Sequence, residues 1–141
     1  MKIVNFAEKN SELNRFVAEI RDIHIQQDRL RFRKNLERIG EVMSYEISKD
    51  FRYSEKLVTT PLGTARVNTA DDKIVIGTIL RAGIPYHQGF LNYFDQAENA
   101  FVSAYRKYKD KLNFEIFIEY IASPRIDGKI LILTDPMLAT G

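Results

Sequence analysis

Three short runs, Ile74-Val75-Ile76-Gly77-Thr78-Ile79-Leu80, Ala100-Phe101-Val102-Ser103-Ala104-Tyr105 and Lys129-Ile130-Leu131-Ile132-Leu133-Thr134, carry apolar residues at consecutive positions. Successive side chains of a strand point to opposite faces, so a strand with one wet face alternates apolar with polar. A run that is apolar at both parities has to be covered on both sides, which is the situation inside a parallel sheet. Parallel neighbours are joined by crossovers of a dozen residues or more. The stretch after the first run has helical spacing over 84–94. Strand, helix, strand, crossover, strand predicts an α/β fold: a parallel sheet flanked by helices.

The remaining elements surround that sheet. Residues 11–23 place Leu13, Phe16, Val17, Ile20 and Ile23 at three- and four-residue spacing behind Ser11, which predicts an amphipathic helix with a serine cap. Residues 28–49 repeat the pattern with Phe32, Leu36, Ile39, Met43 and Ile47. The basic residues of that stretch (Arg29, Arg31, Arg33, Lys34, Arg38) lie largely off the apolar stripe. No aromatic residues are interleaved with them on an exposed face, so a solvated helix surface is favoured over an RNA-binding one. Glu55–Thr60, the turn Pro61-Leu62-Gly63 and Ala65–Asn68 read as a hairpin. Residues 114–120 alternate in part and predict an arm paired with the segment before it.

With 141 residues, 45% of them hydrophobic, the chain is a single domain that can bury a core. It has no cysteine, which excludes disulfide scaffolds and thiolate metal sites. Its two histidines, His24 and His87, lack ligand spacing, so a histidine metal site is not expected. No apolar run approaches the roughly 20 residues of a membrane span, and the N-terminus has no signal-peptide core. A soluble cytoplasmic protein is the expectation. The net charge of +2 is compatible with an anionic small molecule and with nucleic acid alike.

In open parallel sheets, ligands collect beyond the carboxyl ends of the strands. Three candidate segments stand there. Asp135-Pro136-Met137-Leu138-Ala139-Thr140-Gly141 is a loop after a buried strand; its small residues let backbone N–H groups turn toward a phosphate, and Thr140 adds a hydroxyl. Asp135, at the strand tip, can accept hydrogen bonds from vicinal sugar hydroxyls. The heptad fits neither the dinucleotide-binding nor the P-loop glycine pattern. Leu80-Arg81-Ala82-Gly83 puts a guanidinium beside two small residues, an arrangement suited to a pyrophosphate. Arg106 opens a basic segment with Lys107, Lys109 and Lys111 against Asp110. Each segment alone reads as an ordinary turn or solvated loop; their coincidence at three strand ends is the signal.

Together, Ile79-Leu80-Arg81-Ala82-Gly83, Tyr105-Arg106 and Asp135-Pro136-Met137-Leu138-Ala139-Thr140-Gly141 closely resemble the uracil phosphoribosyltransferases, as does Thr60-Pro61-Leu62-Gly63. General type I phosphoribosyltransferases carry a second acidic residue where this chain has Pro136, so the proline points to the uracil branch. The resemblance implies a type I phosphoribosyltransferase fold and the reaction of uracil with 5-phosphoribosyl-1-pyrophosphate (PRPP) to give UMP and pyrophosphate. It implies that Arg81, Ala82, Gly83 and Arg106 hold the pyrophosphate, that Asp135 binds the ribose hydroxyls, and that residues 136–141 cradle the 5-phosphate. Arg106 and Asp135 become the candidate catalytic residues. Magnesium is expected to arrive with PRPP rather than in a protein cage. The resemblance places uracil recognition downstream of Gly141, so these residues are expected to form the N-terminal, PRPP-binding half of the domain. It also implies association into a homodimer through the arm at 107–122. A non-catalytic PRPP-binding paralogue and an RNA-binding pyrimidine regulator on the same fold are the alternatives; Pro136 counts against the regulator.

Overall fold

A computed structural model describes residues 3–108 and 114–137, with side chains described over 3–104 and 117–137. After a short 3-10 turn at Phe6–Glu8, the elements run α1 (Glu12–Arg21), α2 (Arg29–Ser48), β1 (Tyr53–Thr60), β2 (Gly63–Ala70), β3 (Ile74–Leu80), α3 (Ile84–Leu91), β4 (Glu98–Tyr108), β5 (Phe114–Ala122) and β6 (Ile130–Thr134). The α/β expectation holds, with one refinement. The four-stranded sheet has the order β5-β4-β3-β6; β3 pairs in parallel with both β4 and β6, while β5 runs antiparallel to β4. β1 and β2 form a separate two-stranded hairpin in unbroken register from Tyr53↔Ala70 to Thr60↔Gly63. Gly63 closes its turn at φ 130°, a conformation glycine reaches without the Cβ clash other residues meet.

The two N-terminal helices form where their apolar spacing places them. α2 is capped by Asp28, whose Oδ1 accepts from the backbone N–H of Leu30 (3.1 Å) and of Arg31 (3.0 Å); such caps contribute about 1 kcal/mol. Ser11 occupies the corresponding position before α1, but its side chain makes no capping bond. α1 ends at Arg21, so Ile23 falls beyond the helix and is 65% exposed rather than part of the stripe. The basic residues of α2 are solvated, as expected. Arg31 meets Glu19 (3.3 Å) and Lys34 meets Glu37 (2.7 Å).

The core gathers Leu13 of α1, Ile39 of α2, Phe51, Ile76 of β3, Tyr86 and Phe90 of α3 and Ile132 of β6. α2 and α3 cross where two glycines meet: a Cβ on Gly89 would lie 2.0 Å from the Glu37 carbonyl oxygen, and one on Gly40 would lie 2.5 Å from that of Tyr86. This close crossing holds α3 against α2, while Tyr86 and Phe90 of α3 join Ile76 and Ile132 of the sheet in the core. The side chains of β3 that point toward α3 are therefore those of Ile76 and, two residues on, Thr78.

Candidate functional site

The register of the parallel strands fixes what meets at their carboxyl edge. Thr78 of β3 lies opposite Thr134 of β6, and Leu80 lies opposite Ser103 of β4. β6 thus hands over to Asp135 beside the point where β3 hands over to Arg81. β4 continues past Ser103, pairing Ala104 with Ile118 across an irregularity in the ladder and Arg106 with Ile116. The backbone of Arg106 lies on that extension, and its side chain lies outside the described residues.

The turn after β3 is shaped by its glycine. Gly83 is buried, and a Cβ there would stand 2.5 Å from Thr78 Cγ2 and 2.7 Å from the Ile79 carbonyl oxygen. Only a residue without a side chain lets the chain fold back against the strand it has just left. The Gly83 N–H donates to the Ile79 carbonyl (3.2 Å), and the Gly83 carbonyl accepts from the His87 N–H (2.8 Å), so α3 starts directly from this turn. The peptide between Leu80 and Arg81 is cis. Arg81 and Ala82 are exposed. Across the edge, Asp135 is exposed and its Oδ1 accepts from the Met137 N–H (3.1 Å), turning the chain sharply after β6. Pro136 is half-buried and Met137 is exposed. Leu138, Ala139, Thr140 and Gly141 lie outside the described residues.

One feature of this edge has no counterpart in the motif reading. Beneath the turn, Thr78 Oγ1 lies 2.5 Å from His87 Nδ1 and 2.6 Å from Thr134 Oγ1. His87 Nε2 lies 2.7 Å from Asn99 Oδ1, and Thr134 Oγ1 is 3.1 Å from the Gly77 carbonyl oxygen. Thr78, Thr134 and His87 are all buried. Burial pushes the His87 pKa down, against the hydrogen bond to Asn99, which raises it. The available signal was the lone hydroxyl near the end of each apolar strand, together with a histidine on the helix between them. Spacing alone does not show that the three converge.

Magnesium bound with a pyrophosphate needs few protein ligands, typically one or two carboxylates beside water and phosphate oxygens. No cluster of three or more acidic, histidine or cysteine side chains suited to a metal occurs among the described residues. Asp135, exposed at the strand tip with one oxygen engaged by Met137, is a donor of the required kind.

A family model described as uracil phosphoribosyltransferase matches residues 7–141. The chain belongs to this family. It is similar to a uracil phosphoribosyltransferase of Porphyromonas gingivalis, with 64% identity over all 141 residues, which make up 65% of that relative. A uracil phosphoribosyltransferase of Methanothermobacter thermautotrophicus is 43% identical over 112 residues, covering 78% of this chain and 51% of that protein. Among solved structures, the AQ2163 protein of Aquifex aeolicus superposes with a TM-score of 0.77 at 33% identity, over 94% of this chain and 62% of that one. The chain thus spans about half to two thirds of the length of these relatives. No helix among the described residues is long and apolar enough to cross a membrane.

Proposed function

We propose that this protein is a uracil phosphoribosyltransferase of pyrimidine salvage, converting uracil and PRPP to UMP and pyrophosphate, and that these residues form its PRPP-binding half. The observation that carries the reading is the pairing of Thr78 with Thr134, which brings the Arg81 turn and Asp135 to one edge of a parallel sheet. In the reaction, uracil N1 forms a bond to C1 of the ribose as the bond to pyrophosphate breaks, and the N1 proton is released. Negative charge grows on the leaving pyrophosphate, and cations already in place lower the barrier without having to reorganise. Arg81 and Arg106 are assigned that role. Asp135 accepts hydrogen bonds from the ribose hydroxyls, and the backbone and Thr140 hydroxyl of 136–141 take the 5-phosphate. Magnesium travels with PRPP and neutralises pyrophosphate charge.

The protein is further proposed to act in the cytoplasm as a homodimer or larger assembly. Support for the assembly comes from β5, where Phe117, Ile118, Tyr120 and Ile121 are each 47–61% exposed, more apolar surface than a free edge strand carries comfortably.

The test uses the intact protein as the cell makes it. Labelled uracil is converted to UMP only when PRPP is added, and Arg81→Ala and Asp135→Asn each lower kcat/KM by roughly a hundredfold, as loss of a charged transition-state contact does. PRPP binding without any turnover of uracil would replace the enzyme with a PRPP-binding paralogue. Absence of PRPP binding would overturn both. Sedimentation as a monomer at high concentration would remove the assembly.

A further inference from the structure

The residues that bind substrate in the proposed site sit on loops, and loops are held by what lies beneath them. Beneath the Arg81 turn and Asp135 lies the hydrogen-bonded chain Thr134–Thr78–His87–Asn99, buried from Thr134 to His87 and reaching the surface at Asn99, which spans β6, β3, α3 and β4. We propose that His87 is a positioning residue of the phosphate site: acting through Thr78 and Thr134, it locks the carboxyl ends of β3 and β6 together and so sets the spacing between the Arg81–Gly83 turn and Asp135. The inference rests on the reading of this edge as the PRPP site.

Three observations carry it. Thr78 is shared, its hydroxyl contacting both His87 and Thr134 while its methyl group forms the wall against which Gly83 folds. Moving Thr78 therefore moves the turn. Thr134 is the last residue of β6 and the direct neighbour of Asp135. Finally, the donors and acceptors can be satisfied along this chain in either of two directions. With His87 neutral and Nε2–H donating to Asn99 Oδ1, Nδ1 accepts from the Thr78 hydroxyl, whose oxygen accepts from Thr134. With His87 protonated, Nδ1–H donates to Thr78, Thr78 donates to Thr134, and Thr134 donates to the Gly77 carbonyl at 3.1 Å. Both arrangements occupy both ring nitrogens and orient the two hydroxyls oppositely, but the single Thr134 hydrogen reaches the Gly77 carbonyl only in the second. Buried networks of this kind specify one geometry when every member is satisfied.

The surroundings leave His87 as the switchable member. On α3 its neighbours are Tyr86, whose hydroxyl donates to Met43 Sδ (2.8 Å), and Gln88, which donates to Asn92 (2.8 Å). From β4 come Asn99 and the Phe101 ring, 5.0 Å between centroids. From β3 and β6 come the two threonines. Glu98, beside Asn99, is paired with Lys129 instead. The cleft next to His87, formed by Leu80, Ile84, Leu91 and Phe101 with Gln88 and Asn99, contains no carboxylate or cation among the described residues.

The experiment measures PRPP and uracil affinity separately, by calorimetry on the intact protein, for Thr78→Val, Thr78→Ser, His87→Gln and Arg81→Ala. Thr78→Val keeps the side-chain shape and removes only the hydroxyl. It is expected to weaken PRPP about tenfold with uracil affinity kept, while Thr78→Ser, which keeps the hydroxyl and loses only the methyl beside Gly83, binds PRPP more tightly than Thr78→Val. The ratio of PRPP affinities between the starting protein and His87→Gln is expected to change as pH falls through the native pKa of His87, which burial holds below the ordinary histidine value, and to be constant above about pH 6.5; phosphate titration cancels in the ratio. If His87→Gln fails to fold, the valine–serine pair decides alone. Equal PRPP affinity in Thr78→Val overturns the inference, as does a ratio flat with pH. So does a parallel loss of PRPP and uracil affinity that tracks a lower melting temperature, since that is general loosening. If the starting protein fails to bind PRPP, or Arg81→Ala binds it unchanged, it is the reading of the site that falls.

Discussion

The hairpin β1–β2 and the central strand β3 are built from similar lengths of chain, eight, eight and seven residues, yet they differ widely in how far the rest of the molecule covers them. β3 has parallel partners on both edges and α3 on one face, and Val75, Ile76 and Thr78 are fully buried. Among the described residues the hairpin pairs only with itself. Leu57, Val58 and Val67 are 41–70% exposed, and Leu62 at its tip is 100% exposed. Its base is held by polar contacts: Arg52 donates from its backbone N–H to Asp72 (2.7 Å) and from its guanidinium (2.7 Å), which keeps the Asp72 carboxyl below its ordinary range, the backbone bond first. Strand pairing is thus common to both regions, and what separates them is cover. The described residues proposed to contact phosphate follow the covered strands β3 and β6.

Substitutions can break this contrast in order of size. Ile76→Ala, in the middle of β3, is expected to cost about 2–5 kcal/mol in denaturant unfolding of the intact protein, the range for a large aliphatic side chain removed from a closed core. A loss below about 1 kcal/mol would mean that β3 is no better supported than the hairpin. Gly89→Ala tests how tightly the glycine crossing holds α3 against α2 beside that core. Its Cβ would meet the Glu37 carbonyl at 2.0 Å, and overpacking of this kind costs about 1–3 kcal/mol. Unchanged stability would show the helices free to separate.

Acid provides a smaller probe of the same centre. Burial disfavours the His87 imidazolium, so in the window between the native pKa and the unfolded value of about 6.5 the unfolded chain binds more protons than the native one. Stability therefore falls as pH drops below about 6.5, and this contribution levels off once native His87 is itself protonated. The step should be missing in His87→Gln, measured by denaturant midpoints across the range. At the other end, Leu57→Ser in the hairpin is expected to change stability by less than about 0.5 kcal/mol. A cost several times larger would show that the hairpin's apolar face is covered in the intact protein, and its dependence on protein concentration would tell whether a second copy covers it.

Much of this organisation was legible from local pattern. The doubly apolar runs marked β3, β4 and β6, because a strand covered on both faces has no polar parity to alternate. The 3.6-residue stripe marked α2 and most of α1, and it overshot at Ile23, where the helix had already ended at Arg21. β4 extends from Glu98 to Tyr108, beyond the apolar run 100–105, because β5 pairs with its outer half and a paired backbone needs no apolar side chains to remain a strand. Arg81, Gly83 and Asp135 stood out because each follows a buried strand, where parallel sheets place their ligands.

By itself, then, the chain's order of residues determined which segments become strands and helices, which family it belongs to, and that its candidate phosphate contacts follow strand ends. Those are properties of short, contiguous stretches, set by side-chain periodicity and by residue types at adjacent positions. Only the tertiary structure decided that β3 lies between β4 and β6, that Gly83 folds back against Thr78, and that Thr78, Thr134, His87 and Asn99 meet in one hydrogen-bonded chain. The two threonines are separated by 56 residues of sequence. No local pattern encodes such a meeting; it arises from the register of parallel strands and from the Gly83 turn, which starts α3 close enough to β3 for a buried imidazole to reach a hydroxyl.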